Sequence, residues 1–273
     1  MFPSRLINGL CLSSLLCNRA QKGDNFANMK LDLKKELPLI QEWIRQTVGN
    51  ASVVVGVSGG KDSSVVAALC VAALGKERVY GVLMPCHKQS DIDKSLLLVK
   101  TLGIDYEIID IGPAYDALTA EIKAKCGKGD LPITYTSNTP ARLRMTTLYG
   151  VAALLGNARV VNTCNLSEDY VGYSTKFGGA AGDFSPLSRF TCHEVIELGE
   201  LLGLPNELTH KAPTDGMCGL TDEDRFGFTY ATLDAYIRDG VLPDEKTLER
   251  IESMHRAGLH KLRLMPTYEP EAN

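Results

Sequence analysis

The sequence predicts an α/β fold, in which helices cover both faces of a doubly wound parallel sheet. Short β-branched runs alternate with helical segments from Met29 onward. Strands that alternate with crossover helices are typical of parallel sheets. The chain has 273 residues, which is long enough to bury a core without disulfide or metal staples. We therefore expect a globular α/β protein.

The first elements follow from periodicity and stop signals. An amphipathic helix is predicted from apolar residues at helical spacing, which are Leu37, Ile40, Trp43, Ile44 and Val48. A buried strand at 52–57 follows, and then a helix at 62–74 that ends before Gly75. The second strand, 79–84, is closed by Pro85.

The later elements repeat this alternation. A helix at 90–102 is stopped by Gly103, and strand 106–111 comes next. A helix from 138 to about 155 and a strand at 158–163 complete the pattern. The 138–155 helix is apolar on more than one side, so it must be covered twice. It either lies in the centre of the monomer or packs on a second subunit.

Composition excludes several classes of protein. There are 29 Lys and Arg against 33 Asp and Glu, a net charge of −4, which excludes a nucleic-acid binder of the basic-patch kind. No apolar run approaches the ~20 residues of a membrane span, so no membrane role is expected. The eight cysteines form no C-x-x-C pair, which argues against a zinc ribbon and for a reducing, cytoplasmic compartment.

The N-terminal segment differs from the rest of the chain. Residues 1–23 contain no Asp or Glu but carry three basic side chains and a mildly apolar stretch. This composition fits an organellar presequence, and it equally fits an unstructured extension or a misplaced start. We therefore predict an extension at 1–28 and a single catalytic domain at 29–273.

The hexamer 58–63, Ser-Gly-Gly-Lys-Asp-Ser, carries the strongest chemical signal. It follows the first strand and opens a helix, so its N–H groups and hydroxyls form a cradle for phosphates. Neither the Walker A spacing nor G-x-G-x-x-G is present. Asp62 fits an anion site if a divalent cation bridges it to the phosphates.

The hexamer resembles the pyrophosphate loop of the N-type ATP pyrophosphatases, which cleave ATP between its α and β phosphates. Three further stretches resemble motifs of the ammonia-dependent NAD synthetases within that superfamily. They are Asn138–Met145, then Asn162–Glu168 with Gly172–Gly178, and finally Lys211–Thr214 with Thr221–Asp224. The resemblance implies an adenine nucleotide alpha hydrolase-like fold and a ligase that makes NAD from deamido-NAD, ATP and ammonia.

The resemblance also implies residue roles. Residues implied to bind ATP are Gly56, Val57, Ser58, Gly59, Gly60, Lys61, Asp62, Ser63, Thr163 and Thr214. Residues implied to bind deamido-NAD are Arg142, Lys176, Asp183, His260 and Lys261. Asp62 and Glu168 match the magnesium ligands, and Asp62 and Lys176 are the predicted catalytic residues. The family relationship further implies a homodimer across the 138–155 helix.

Two departures from the family pattern affect this assignment. Cys192 stands where the family often has a lysine that contacts the ATP phosphates. Gly179 replaces a carboxylate after Lys-Phe-Gly. Neither departure removes a predicted metal ligand or Arg142, so the predicted activity stands.

Two other functions compete with this one. A tRNA-thiolating pyrophosphatase would need close cysteine pairs and a basic face, and the sequence has neither. A regulatory nucleotide-binding module of the universal-stress type would not need Asp62 and Glu168 together. Outside the synthetase-like region at about 30–261, 28 residues precede and 12 follow. We therefore expect ammonia rather than glutamine as the nitrogen donor.

Overall fold

A computed structural model describes residues 30–89, 91–127, 129–210, 221–263 and 265–270. Its four strands are β1 Ser52–Gly56, β2 Val79–Leu83, β3 Asp105–Ile108 and β4 Ala158–Val160. They form one parallel sheet in the order β3-β2-β1-β4. The predicted N-terminal extension at 1–28 lies outside the described residues.

All four predicted strands are present, but each ends earlier than its pattern suggests. Backbone pairing continues beyond the third strand, where Ile109 donates to the Leu83 carbonyl at 2.8 Å and Ile111 to that of Pro85 at 2.9 Å. Val161 likewise pairs with Phe184 just after β4. The predicted segments therefore include residues beyond the regular strands, and β3 itself is mostly exposed.

Eleven α-helices surround this sheet within the described residues. In chain order they are α1 Leu33–Val48, α2 Lys61–Leu74, α3 Ile92–Leu102, α4 Gly112–Cys126, α5 Ile133–Leu155, α6 Leu166–Tyr170, α7 Cys192–Leu201, α8 Asn206–Thr209, α9 Asp222–Phe226, α10 Tyr230–Asp239 and α11 Glu245–Leu262. None of the helices in the described ranges is long and apolar enough to cross a membrane.

The predicted helices are confirmed, with one corrected boundary. We expected the helix at 138–155 to begin at Asn138, but α5 begins at Ile133 after Pro132. Pro140 is inside the helix, eight residues from its start, and it does not end the helix. Helix α4 was not predicted, although Pro113 in its first turn is a typical start signal.

Helices cover both faces of the sheet, as predicted. On β1, Val53 and Val55 join the core formed with α1, α2, α3 and α7. Between them, Val54 joins a second core in which Met145 and Leu148 of α5 cover the opposite face. The continuous apolar run of β1 follows from this double burial. The two cores place the carboxyl ends of the strands at one open edge.

Part of α5 is left uncovered by the described residues. Leu154 is 90% exposed, and Leu155 and Tyr149 are also exposed. Within the part of the chain that the structure describes, the helix is therefore not enclosed on all sides.

The C-terminal helices form a third core beside the sheet edge, centred on Phe226. A backbone contact fixes α11 against the loop that follows α6. A Cβ atom added to Gly172 would lie 2.4 Å from the Cα of Gly258, and the φ of Gly172 is +64°. Only glycine fits at these two positions. The end of α11 is thus held near the sheet edge.

Candidate active site

The hexamer 58–63 forms a turn that leads from β1 into α2. The Ser58 and Ser63 hydroxyls lie 3.0 Å apart, and the Gly60 N–H donates to the Ser58 hydroxyl at 3.3 Å. Gly60 caps α2 without a side-chain acceptor for the first turn. The N–H groups that open the helix therefore remain available to an anion. This confirms the strand–loop–helix arrangement predicted for a phosphate cradle.

Gly59 is required by its backbone conformation and by its neighbours. Its φ is +75°, and an added Cβ would lie 2.9 Å from the backbone nitrogen of Ser95. Ser95 is buried and donates to the Val57 carbonyl at 3.3 Å. The start of α3 therefore packs directly on the loop and restricts its shape. At the end of β1, Gly56 similarly lets Met84 and Leu148 approach.

Asp62 and Glu168 are brought together by Asn165. Asn165 Nδ2 donates to Asp62 Oδ1 at 2.8 Å, and Asn165 Oδ1 accepts from the Glu168 N–H at 3.0 Å. Asn165 is fully buried and caps α6, with Glu168 as the reciprocal member of its capping box. One side chain thus joins the phosphate loop to the turn that carries the second carboxylate. The structure thus brings the two predicted carboxylates into one region through Asn165.

The pair carries excess negative charge. Burial raises the pKa of Glu168 well above its ordinary value, and repulsion from Asp62 raises it further. Attraction by Lys61 opposes this shift. A carboxylate whose ionisation is opposed by burial and by a neighbouring carboxylate is suited to bind a cation.

The residues present fit a magnesium ion. Among the described residues, no cluster of three or more His, Cys, Asp or Glu side chains could hold a metal. Mg²⁺ commonly takes only one or two protein carboxylates and completes its shell with water and substrate phosphates. Asp62 and Glu168, next to a phosphate cradle, match that requirement.

Lys61 is buried at the centre of this site. It is 3% exposed, and its Nζ lies 2.8 Å from Asp62 Oδ2 and 5.5 Å from the centre of the Tyr230 ring. Cys192 begins α7 close to Lys61, and burial raises the pKa of its thiol to about 12. The side chain at 192 is thus a neutral thiol. Lys61 supplies the positive charge beside it.

Hydrogen bonds link three of the predicted acceptor-binding residues, Arg142, Lys176 and His260. Arg142 Nε donates to the Lys176 carbonyl at 3.2 Å, and Lys176 Nζ donates to the His260 carbonyl at 2.9 Å. Lys261 Nζ donates to the Gly172 carbonyl at 2.7 Å. The closely packed loop and α11 thereby gather these cationic side chains at one place. The side chains of Arg142, Lys176 and Lys261 each donate to a backbone carbonyl in these contacts.

Asp183 is placed differently. Its Oδ1 accepts from the Tyr149 hydroxyl at 3.0 Å and its Oδ2 from the Val160 N–H at 2.7 Å. Both oxygens therefore stabilise the protein in this structure, tying α5 to β4. Asp183 also lines a recess of about 170 Å³ with Asp169 and Leu262. Leu262, the residue after Lys261, brings the end of α11 to this recess.

The two predicted threonines could not both be placed. Thr163 lies in the segment that leaves β4, whereas Thr214 lies outside the described residues, as does the whole Lys211–Thr214 stretch. A larger recess of about 740 Å³ involves none of the predicted site residues, since it lies between the start of α1 and α7.

Sequence reasoning assigned no role to Asn165, Asn162 or Arg144. Asn162 donates to the carbonyls of Gly179 and Ala181 at 2.7 and 2.9 Å, which shapes the loop after α6. Arg144 Nε donates to the Met84 carbonyl at 3.0 Å at the end of β2. An Asn three residues before a Glu is a capping-box-like signal and could have indicated Asn165. The contacts of the other two are long-range and leave no such signal.

Phe177, which follows Lys176, has an unusual backbone conformation. It is 62% exposed, its φ is +63°, and its ring lies 5.3 Å from Lys176 Nζ. A non-glycine residue with positive φ stores backbone strain, which concentrates at functional sites. The sequence identified this position only as a variant of a family motif.

This chain is similar to known proteins over most of its length. The family model described as NAD synthase matches residues 36–265. The NH₃-dependent NAD⁺ synthetase of Alkaliphilus oremlandii is 36% identical to this chain over 249 residues, covering 88% of this chain and 98% of its own length.

Two solved structures share the fold over nearly their whole length. The NMN synthetase of Francisella tularensis gives a TM-score of 0.81 at 34% identity and covers 88% of this chain and 99% of its own. The NH₃-dependent NAD synthetase of Campylobacter jejuni gives 0.70 at 28% identity and covers 88% and 100%.

Proposed function

This chain belongs to the NAD synthase family, and from that premise we propose that it amidates deamido-NAD with ammonia, consuming ATP and releasing AMP and pyrophosphate. The observation that carries the proposal is the Asn165 bridge, which sets Asp62 and Glu168 beside an uncapped phosphate loop. A ligase that activates a carboxylate with ATP needs this combination of anion cradle and cation ligands.

The ATP half of the site would work by positioning and charge. The N–H groups at the start of α2 and the hydroxyls of Ser58 and Ser63 would hold the phosphates. Asp62 and Glu168 would hold Mg²⁺, which when bound supplies charge neutralisation for the departing pyrophosphate. Lys61 adds a positive charge fixed within the protein. We also assign Thr163 and Thr214 to ATP.

The reaction would pass through an acyl-adenylate. An oxygen of the nicotinate carboxylate forms a bond to the α-phosphorus as the bond to the pyrophosphate oxygen breaks. Ammonia then forms a bond to the activated carbonyl carbon and loses a proton, and AMP leaves. The protein's part is to align these groups, which accounts for large rate gains without covalent catalysis.

The acceptor would lie beside the group of basic side chains around the end of α11. Arg142, Lys176 and Lys261 suit a dinucleotide diphosphate, and His260 ends the same helix as Lys261. Lys176 is also the proposed catalytic cation nearest the acceptor. Asp183 would bind the acceptor through the carboxylate oxygen that gives up its hydrogen bond from Tyr149 or from Val160. Alternatively, it would act by holding α5 against β4.

A mononucleotide acceptor is a second candidate. The structural neighbour from Francisella tularensis is named an NMN synthetase, and its TM-score of 0.81 exceeds the 0.70 of the Campylobacter jejuni NAD synthetase. The same activation and amidation would then act on nicotinate mononucleotide. The phosphate loop and carboxylates serve either acceptor equally, because both are adenylated at the nicotinate carboxylate.

The exposed side of α5 supports a homodimer. Leu154, Leu155 and Tyr149 are exposed apolar side chains in the C-terminal half of a helix that also carries Arg142. Exposed large apolar side chains grouped on one element are typical of subunit contacts. We propose that α5 of one subunit packs on α5 of its partner, close to the acceptor-binding residues.

We place the enzyme in the cytoplasm as one catalytic domain at 29–273. All five described cysteines are free thiols, which fits a reducing compartment. An organellar destination through residues 1–28 stays an alternative, and comparing the location of the full chain with that of a 29–273 chain in cells separates the two.

The deciding experiment measures AMP and pyrophosphate formation with ATP, Mg²⁺ and ammonium across a panel of carboxylate acceptors. We expect product with deamido-NAD, and product formation chiefly with nicotinate mononucleotide would establish the second candidate. No pyrophosphate release with either acceptor would contradict both.

A further inference from the structure

The cation beside Asp62 comes from within the chain. Lys61 Nζ lies 2.8 Å from Asp62 Oδ2, and the side chain is 4% exposed against 18% for that of Asp62. The two side chains therefore form a buried ion pair at one of the two predicted metal ligands.

No other basic side chain takes this position among the described residues. Asp62 accepts a hydrogen bond from Lys61 at one carboxylate oxygen and from the Asn165 amide at the other. Lys61 also lies near the Tyr230 ring and the Cys192 thiol, and neither is a competing anion at neutral pH. The ammonium is thus held by Asp62 alone at hydrogen-bond distance.

We propose that Lys61 is an internal counter-cation that occupies Asp62 in the metal-free enzyme and is displaced from it when Mg²⁺ binds. This proposal deepens the proposed function, since it rests on Asp62 and Glu168 as metal ligands. A free divalent ion must compete with a charge that is already paired and buried. The phosphates of ATP supply further metal ligands and a new partner for the ammonium, so the metal enters together with the nucleotide.

The test measures binding of the metal alone, without ATP or acceptor. Lys61→Met and Lys61→Gln should bind Mn²⁺ about tenfold or more tightly than the unmodified enzyme, because a unit charge a few ångströms away is removed. Lys61→Arg should bind like the unmodified enzyme. Free Mn²⁺ is followed by electron paramagnetic resonance, and the rise in melting temperature caused by Mg²⁺ provides a second readout.

A matched control is Lys35→Gln, which removes a lysine paired with Asp32 at 3.1 Å on the exposed start of α1. It should leave Mn²⁺ affinity unchanged. If the neutral variants do not fold, the Lys61 ammonium signal in ¹H–¹⁵N spectra of the unmodified enzyme must shift on addition of Mg²⁺ and ATP.

Equal or weaker Mn²⁺ binding by the neutral variants would overturn the proposal, as would an ammonium signal that does not respond. These outcomes do not depend on the acceptor. Amidation by the unmodified enzyme separately tests the proposed function, so each idea can fail without the other.

Discussion

At the scale of single residues, the proposed chemistry depends on two carboxylates that come from distant parts of the chain. We expect Asp62→Asn and Glu168→Gln each to lower the Mg²⁺-dependent turnover by about 10²-fold or more, since each removes a ligand of a phosphate-bridging metal. Initial rates of pyrophosphate release measure this effect.

Glu168→Gln is the more informative of the two variants, because it keeps the Lys61–Asp62 ion pair intact. Circular dichroism should show an unchanged fold. Near-normal rates in both variants would remove Asp62 and Glu168 from the metal site.

Arg142 tests the acceptor region. Arg142→Ala should raise KM for deamido-NAD much more than KM for ATP, because its guanidinium lies with Lys176 and away from the phosphate loop in the proposed binding mode. Steady-state kinetics with each substrate varied in turn give both constants. Arg45→Ala, which removes an arginine that contacts Ala73 at the far end of α2, is the control. A selective rise in KM for ATP would show that α5 is misassigned.

The buried carboxyl group of Asp169 should make the stability of the protein depend on pH. Burial raises its pKa from 3.8 to about 6, so the folded state holds this proton more tightly than the unfolded state. The stability of the unmodified protein should therefore fall as the pH rises from about 4 through 6. Asp169→Asn removes that loss and should increase the free energy of unfolding at pH 7 by up to about 3 kcal/mol.

Urea unfolding at pH 4 and pH 7 measures the effect, with Trp43 fluorescence as the probe because it is the only tryptophan of the chain. The gain should be much smaller at pH 4, where Asp169 is protonated in the folded state and partly protonated in the unfolded state. A gain of equal size at both pH values would mean that burial of the carboxylate is not its cause.

At the scale of elements, α5 connects the sheet to the proposed partner subunit. Leu154→Glu should convert a dimer into a monomer, because it places a charge among the exposed apolar side chains where the second α5 would pack. Light scattering after size exclusion measures the mass. Leu242→Glu, at another exposed leucine between α10 and α11, should leave the mass unchanged. A dimeric Leu154→Glu protein, or a monomeric unmodified one, would contradict the α5 interface.

Periodicity predicted the strands and most of the helices that pack against the sheet, but it did not predict α7, which joins the first core. The four strands and α1, α2, α3 and α5 carry apolar residues at regular spacing because a core faces them. Helix α4 has a buried residue only at Gly112, so its sequence lacks that pattern. Helix α6 is five residues long, too short for periodicity to show. Its capping box is a local signal that periodicity does not capture.

The site was predictable in part for a similar reason. The hexamer 58–63 is local, so its sequence indicates its shape directly. The bridge formed by Asn165, the buried position of Lys61 and the glycine contact at 172 and 258 join segments far apart in the chain. No pattern within either segment specifies its partner.

At the scale of the whole molecule, the nitrogen donor is the main functional question. We expect turnover with ammonium salts and little with ammonia-free glutamine, because no described cysteine has a partner arrangement suited to a glutaminase. Burial raises the pKa of Cys70, Cys164 and Cys192, which makes these thiols poor nucleophiles.

The rate with ammonium should rise with pH as the fraction of free NH₃ grows. AMP formation with each donor is the measurement, and the preparation must be free of other proteins. Comparable rates with glutamine would overturn the prediction.

The hydrogen bond from Asn165 to Asp62 joins residues 103 positions apart. Closing a loop of that length costs about 4 kcal/mol of chain entropy, which is recovered only when β1, β4 and the helices between them have packed. The phosphate turn can form locally, but the pair of carboxylates exists only in the fully folded chain. Apparent metal affinity would therefore decline with the folded fraction in any destabilised variant, even where the substitution lies far from the ion.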